Sequence, residues 1–217
     1  WLTQGEALAL DVARAAPVGV WATMLYLLSL GFFSARLPWY GCIPFGWVLY
    51  LSAATAIRFS GFAQSPWLGG LVIPMLWIAA RHVLPRPAAR VRPAHLPRIE
   101  LLMRMLAAIA LVLALTSGAE LLGPEFTGLL SGAPVAATVI PAFILATAGR
   151  DSLLLALRGF LTGLTGFAAF FLILTALMQH LHTWSLAPAL AAALAVSALV
   201  QRSLRASARD GGGASGD

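Results

Sequence analysis

Lysine is absent, cysteine occurs once, and charged side chains of every kind make up only 10% of the 217 residues. Each shortage excludes something. An ordinary globular domain is about a quarter charged, so this chain cannot cover a water-facing surface. The single Cys42 excludes an internal disulfide and any cysteine-only metal site. There is no phosphate-binding loop, no metal motif and no nucleophile–base constellation, so neither an enzyme nor a cofactor is expected. The start at Trp1 has no methionine and no basic stretch before an apolar one, which is unlike a signal peptide.

What is present is apolar. Hydrophobic residues make up 60% of the chain. A lipid solvent removes the need for a polar surface, and the composition defines an integral membrane protein. Seven apolar runs approach the roughly 20 residues a bilayer requires. They cover 12–34, 41–57, 66–84, 101–122, 126–148, 152–178 and 185–201. The expected fold is therefore all-α, a polytopic transmembrane helical bundle of about seven spans.

The basic residues, all arginine, could serve nucleic acid or topology. They lie between and beside the apolar runs, which favours topology, with no nucleic-acid partner. The linker "RHVLPRPAARVRPAHLPR", residues 81–98, has five arginines and prolines that forbid a continuous helix. Placed in the cytoplasm, it puts Arg36, Arg150 and the arginines of the tail on the same side. Glu120, Glu125 and the N-terminal Glu6 and Asp11 then face the other.

Sliding the chain by 144 residues puts Gly5 on Gly149, Leu10 on Leu154, Arg14 on Arg158, Gly19 on Gly163, Pro44 on Pro188 and Arg58 on Arg202. Tyr26 falls on Phe170. The copies begin on opposite sides of the membrane, so the pattern predicts inverted-topology repeats, a recurrent plan of transporters and channels. The expected organisation is a first repeat with a connecting span over 1–84 and a cytoplasmic linker over 85–98. A second repeat over 99–204 and a disordered cytoplasmic tail over 205–217 complete it. The first repeat is expected to be incomplete, with two further spans before Trp1.

The segment "GPEFTGLLSGAPVAATVIPAF", residues 123–143, opens a pattern that continues through "LRGFLTGLTGFAAFF". Gly123, Pro124, Gly128, Leu129, Pro134, Val135, Phe143, Gly149, Leu157, Arg158, Gly159, Gly163 and Phe167 carry it. It resembles a poorly characterised group of bacterial inner-membrane proteins, distantly similar to the small GlpM-like membrane proteins. This chain departs from the group at Ala133, where an aromatic is usual, and in lacking a Thr-His pair near "ILATAG". The resemblance implies a bacterial inner membrane and a two-repeat helical bundle, and brings no substrate or activity.

Several residues have two readings. Pro134 and Pro141 either break a helix lining a substrate path or kink a packed one, with Gly128 and Gly132 as a small-residue contact. Arg14 and Arg158 lie about six residues into their spans. There they either snorkel or face inward and pair with an anionic substrate. Gly19, Gly159, Gly163 and Gly166 favour close helix packing, with Thr162 beside them as a candidate ligand. Glu120 and Glu125 are interfacial acids or candidate coupling carboxylates. His180 and His182 read as a wet turn, and Glu100 and Arg104 as a surface pair. The preferred function is a small-molecule transporter or permease whose substrate is unknown, with an anion in keeping with the arginines. The alternative is a membrane scaffold or assembly component. The partners are the lipid bilayer and that solute, and the sequence leaves room for a homo-oligomer.

Overall fold

The computed structural model describes residues 2–60, 66–85, 87, 98–122 and 134–210. Among these, all regular structure is helical. Helix α1 spans Leu2–Phe33, α2 Trp39–Phe59, α3 Pro66–Ile78, α4 Arg98–Leu122, α5 Val135–Thr147, α6 Gly149–Leu181 and α7 Leu186–Asp210. A π-turn, Ala79–Val83, continues α3, and a 3₁₀ turn, His182–Ser185, precedes α7. Four described segments are long and apolar enough to cross a membrane: Trp39–Ile57, Leu101–Gly118, Gly149–Met178 and Leu186–Leu204. Gly19–Phe33, Gly69–Val83 and Val135–Thr147 are apolar but shorter.

The apolar run at 126–148 is not one continuous helix. Pro134 has φ −80° and ψ 62°, outside the helical region, and α5 starts only at Val135. Pro134 therefore begins a helix, whereas Pro141 lies inside it. At its other end α5 stops in a tight turn. The Ala148 N–H bonds to the Ile144 carbonyl, and Gly149 takes φ +80°, which a side chain would disfavour. This turn lets α6 follow α5 directly. Helix α7 extends to Asp210, past Arg205, where the sequence places the start of the tail. Residues 211–217 and most of the 85–98 linker lie outside the described residues.

The chain divides into two compact units. The first contains Trp1–Trp21, Ser60–Val83 and Gly159–Asp217. Its interior is built largely of small residues: Ala168, Ala169, Ala189 and Ala193 are buried together with Leu161, Leu76 and Val72. A Cβ on Gly166 would run into Ser197 Oγ and come within 3.1 Å of the Ala193 carbonyl. Glycine is what lets α6 and α7 approach this closely, as expected where helices must pack without a hydrophobic force between them. Leu174 and Ala189 form a small cluster flanked by Phe170, Phe171 and Ile173.

The second unit contains Ala22–Phe59 and Leu84–Arg158. Tyr26, Leu27, Leu30, Leu84, Leu153, Leu154 and Leu157 form its core. Phe33 packs on Phe45 at a centroid distance of 4.4 Å, tying the end of α1 to α2. Helix α5 contacts both α2 and α4. Helix α4 lies at the other extreme, since none of its Leu101–Gly118 window is buried.

Candidate functional site

In the second unit an apolar interior holds a short chain of hydroxyls. The Tyr26 hydroxyl donates to Thr138 Oγ1 at 3.0 Å, and Thr138 donates to the Pro134 carbonyl at 2.9 Å. Tyr26 is completely buried and Thr138 is 6% exposed. A hydroxyl away from water must find a partner, and this pair satisfies both. The chain ends at the carbonyl of the residue that interrupts the apolar run, so the break at Pro134 is tied to α1.

Three neighbours surround Tyr26. Trp47 meets it edge-on at 6.3 Å. Ser29, bonded to the Tyr26 carbonyl at 2.6 Å, lies one turn along. Gly46 leaves room for the ring, since a Cβ there would sit 2.9 Å from Tyr26 Cε2 and 3.2 Å from Ser29 Oγ. Deeper along α5, buried Pro141 has no N–H, which removes the donor that would reach the Ala137 carbonyl.

Arg158 belongs to the same unit. Its Nη2 donates to the Leu84 carbonyl at 3.1 Å and to the Pro85 carbonyl at 3.4 Å. These carbonyls follow the π-turn, where the chain has run out of helical donors. The guanidinium thus ties the start of α6 to the chain at Leu84 and Pro85. Leu84 in turn packs where Gly31 presents no side chain, and a Cβ there would collide with Leu84 Cδ1.

The expected site residues are thereby sorted. Pro134, Pro141 and Arg158 share the second unit, while Arg14 and Thr162 belong to the first. Thr162 is buried, and its carbonyl accepts a 2.6 Å bond from the buried Thr165 hydroxyl. The side chains of Arg14 and Glu120 lie outside the described residues, as do Glu125, Gly128 and Gly132 entirely. Among the described residues, nothing comes within 4 Å of where a Cβ would stand on Gly19, Gly159 or Gly163. Gly166, in contrast, is pressed against α7. Arg104 lies over the Phe143 ring, its Cζ 5.6 Å from the centroid.

Sequence reasoning passed over Tyr26 and Thr138 as polar groups. A signal was present: a hydroxyl in an apolar run needs a partner. Which partner could not be read, because 112 residues separate the two. No family model, curated protein or solved structure matches this chain.

Proposed function

We propose that this chain is a multi-pass membrane protein of transporter or permease type, built on two inverted copies and acting on a small anionic solute. The observation that carries this reading is the break at Pro134. A proline inside an apolar run is tolerated in lipid where protein groups surround the backbone, and here Thr138 bonds back to the Pro134 carbonyl while accepting from the buried Tyr26. Interrupted helices line the solute path in many transporters.

The duplication draws support from helix lengths. A 32-residue α1 is followed by a 21-residue α2, and a 33-residue α6 by a 25-residue α7. Each copy also gives the start of its long helix to one compact unit and the remainder to the other. The resemblance to bacterial inner-membrane proteins supplies the compartment.

The mechanism follows from Arg158. Among its acceptors here are the Leu84 and Pro85 carbonyls, both neutral, and a carboxylate or phosphate makes charge-assisted bonds about twice as strong. An arriving anion would draw the guanidinium away and release the Leu84 and Pro85 carbonyls. Solute binding would thereby free a segment that Arg158 otherwise holds, a difference in contacts that lets a ligand shift a conformational equilibrium.

The test is reconstitution of the full chain in phospholipid vesicles, with uptake of radiolabelled inorganic phosphate and of short mono- and dicarboxylates. Uptake of at least one anion above empty vesicles, lost in Arg158→Ala and weakened in Arg158→Lys, is expected. Absence of uptake of every anion, or equal uptake by Arg158→Ala, overturns the proposal. A second reading, a membrane scaffold, is favoured by α4, whose apolar flanks at Leu101, Leu106, Ile109 and Leu113 are all exposed.

A further inference from the structure

At the end of α3, in the first unit, a second arrangement stands apart from the groups used above. Trp77 Nε1 donates to Ser203 Oγ at 2.9 Å, and Ser203 donates to the Val200 carbonyl at 2.8 Å. The bond joins α3 to α7 across 126 residues of chain and sets the two helices at one level. One turn beyond Trp77, Arg81 lies over its ring, with Cζ 5.1 Å from the centroid. His82 meets the same ring edge-on at 6.1 Å. Arg202 is adjacent to Ser203 and exposed. The Trp77–Ser203 bond thus brings Arg81 and Arg202 to the same end of the two helices.

In sequence, the charge flanking Arg81 and Arg202 is of one sign as far as Glu100 and Asp210. Residues 77–99 include Arg81, Arg86, Arg90, Arg92 and Arg98 and no acid. Residues 186–209 include Arg202, Arg205 and Arg209 and no acid. Immediately before the arginines the surface is apolar. Ile78 and Met75 on α3, and Leu199 and Leu194 on α7, are exposed. A soluble anion would use the cations and leave these side chains bare. A ligand with an anionic head and acyl chains uses both.

We propose that Arg81 and Arg202, set level by the Trp77–Ser203 bond, form a headgroup site for an anionic phospholipid whose acyl chains run along α3 and α7. Guanidinium groups pair bidentately with phosphate. Tryptophan favours the headgroup level because its ring is apolar and its N–H polar. Here Ser203 takes the N–H, which fixes the ring as a platform for Arg81. The site uses no residue of the proposed solute path, so it stands whether or not the chain transports.

The experiment is native mass spectrometry of the full chain, delipidated in detergent and titrated with phosphatidylglycerol, phosphatidylcholine or inorganic phosphate. Phosphatidylglycerol should be retained over phosphatidylcholine. Arg202→Gln and Arg81→Gln should each weaken retention about fivefold, the effect of one basic group at an anionic membrane surface. Arg36→Gln, an exposed arginine of the other unit, should leave it unchanged. Arg202 is exposed and its replacement leaves the packing intact, so that variant reads the site even if Arg81→Gln unfolds. Equal retention of the two lipids, or equal effects of Arg202→Gln and Arg36→Gln, overturns the proposal. Competition by inorganic phosphate as effective as by phosphatidylglycerol also overturns it, in favour of a soluble anion.

Discussion

The Tyr26 hydroxyl donates to Thr138 Oγ1 across 112 residues of sequence, and both side chains are shut away from solvent. This pair joins α1 to the start of α5, and four consequences of the architecture around it can be measured.

Removing the Tyr26 hydroxyl should be tolerated but felt. Thr138 keeps its bond to the Pro134 carbonyl in Tyr26→Phe, so no polar group is orphaned. The expected cost is about 0.5–1.5 kcal/mol. Thr138→Val should cost more, about 1–3 kcal/mol, because it leaves the buried Tyr26 hydroxyl without its acceptor, and the double variant should cost less than the sum. Reversible unfolding in mixed micelles measures all three, and strict additivity would show that the bond contributes nothing.

Glycines that look alike in sequence should separate in stability. Gly46→Ala drives a methyl group against a buried, rigid ring, and overpacking of this kind costs about 1–3 kcal/mol. Gly166→Ala meets the Ala193 backbone carbonyl and should cost a comparable amount. Gly159→Ala and Gly163→Ala meet none of the described residues, and should be neutral or gain up to about 1 kcal/mol from helix propensity. Thermal unfolding of the four variants in one detergent decides the order.

Arg158 should hold the chain at Leu84 and Pro85. Without its guanidinium the Leu84 and Pro85 carbonyls lose a donor, and the π-turn should open more often. Hydrogen exchange over Ala79–Leu84 should accelerate about fivefold or more in Arg158→Ala, corresponding to bonds worth about 1 kcal/mol or more. Arg158→Lys should recover part of the protection. Unchanged exchange would mean that these bonds do not hold the turn.

Cys42 offers a probe of folding. It is buried, and its Sγ lies 3.3 Å from the Leu37 carbonyl. A membrane-permeant maleimide should modify the folded protein slowly and the unfolded protein at once, because reaction needs an exposed thiolate. Labelling as fast before as after denaturation would contradict the packing of α2 on α1.

Much of the fold was legible because lipid imposes simple rules. Helix is forced wherever the backbone must satisfy itself, so the apolar runs at 41–57 and 152–178 correspond to α2 and α6 within a few residues. The prolines of the 85–98 linker likewise precede a fresh start at Arg98. The run at 126–148 was less legible. Proline is permitted in membrane helices, and nothing in composition separates a Pro134 that begins a helix from a Pro141 that lies within one.

The sequence by itself determined a helical chain with segments apolar and long enough to cross a membrane, and the places where its helices bend or thin. Those follow from the hydrophobicity and backbone chemistry of each residue and its immediate neighbours. Only the tertiary structure decided that Tyr26 meets Thr138, that Arg158 bonds to Leu84 and that Gly166 rather than Gly163 faces a partner. Each depends on which helix faces lie together. In an all-apolar segment polarity does not mark the inward side, so packing shape and a few hydrogen bonds choose it.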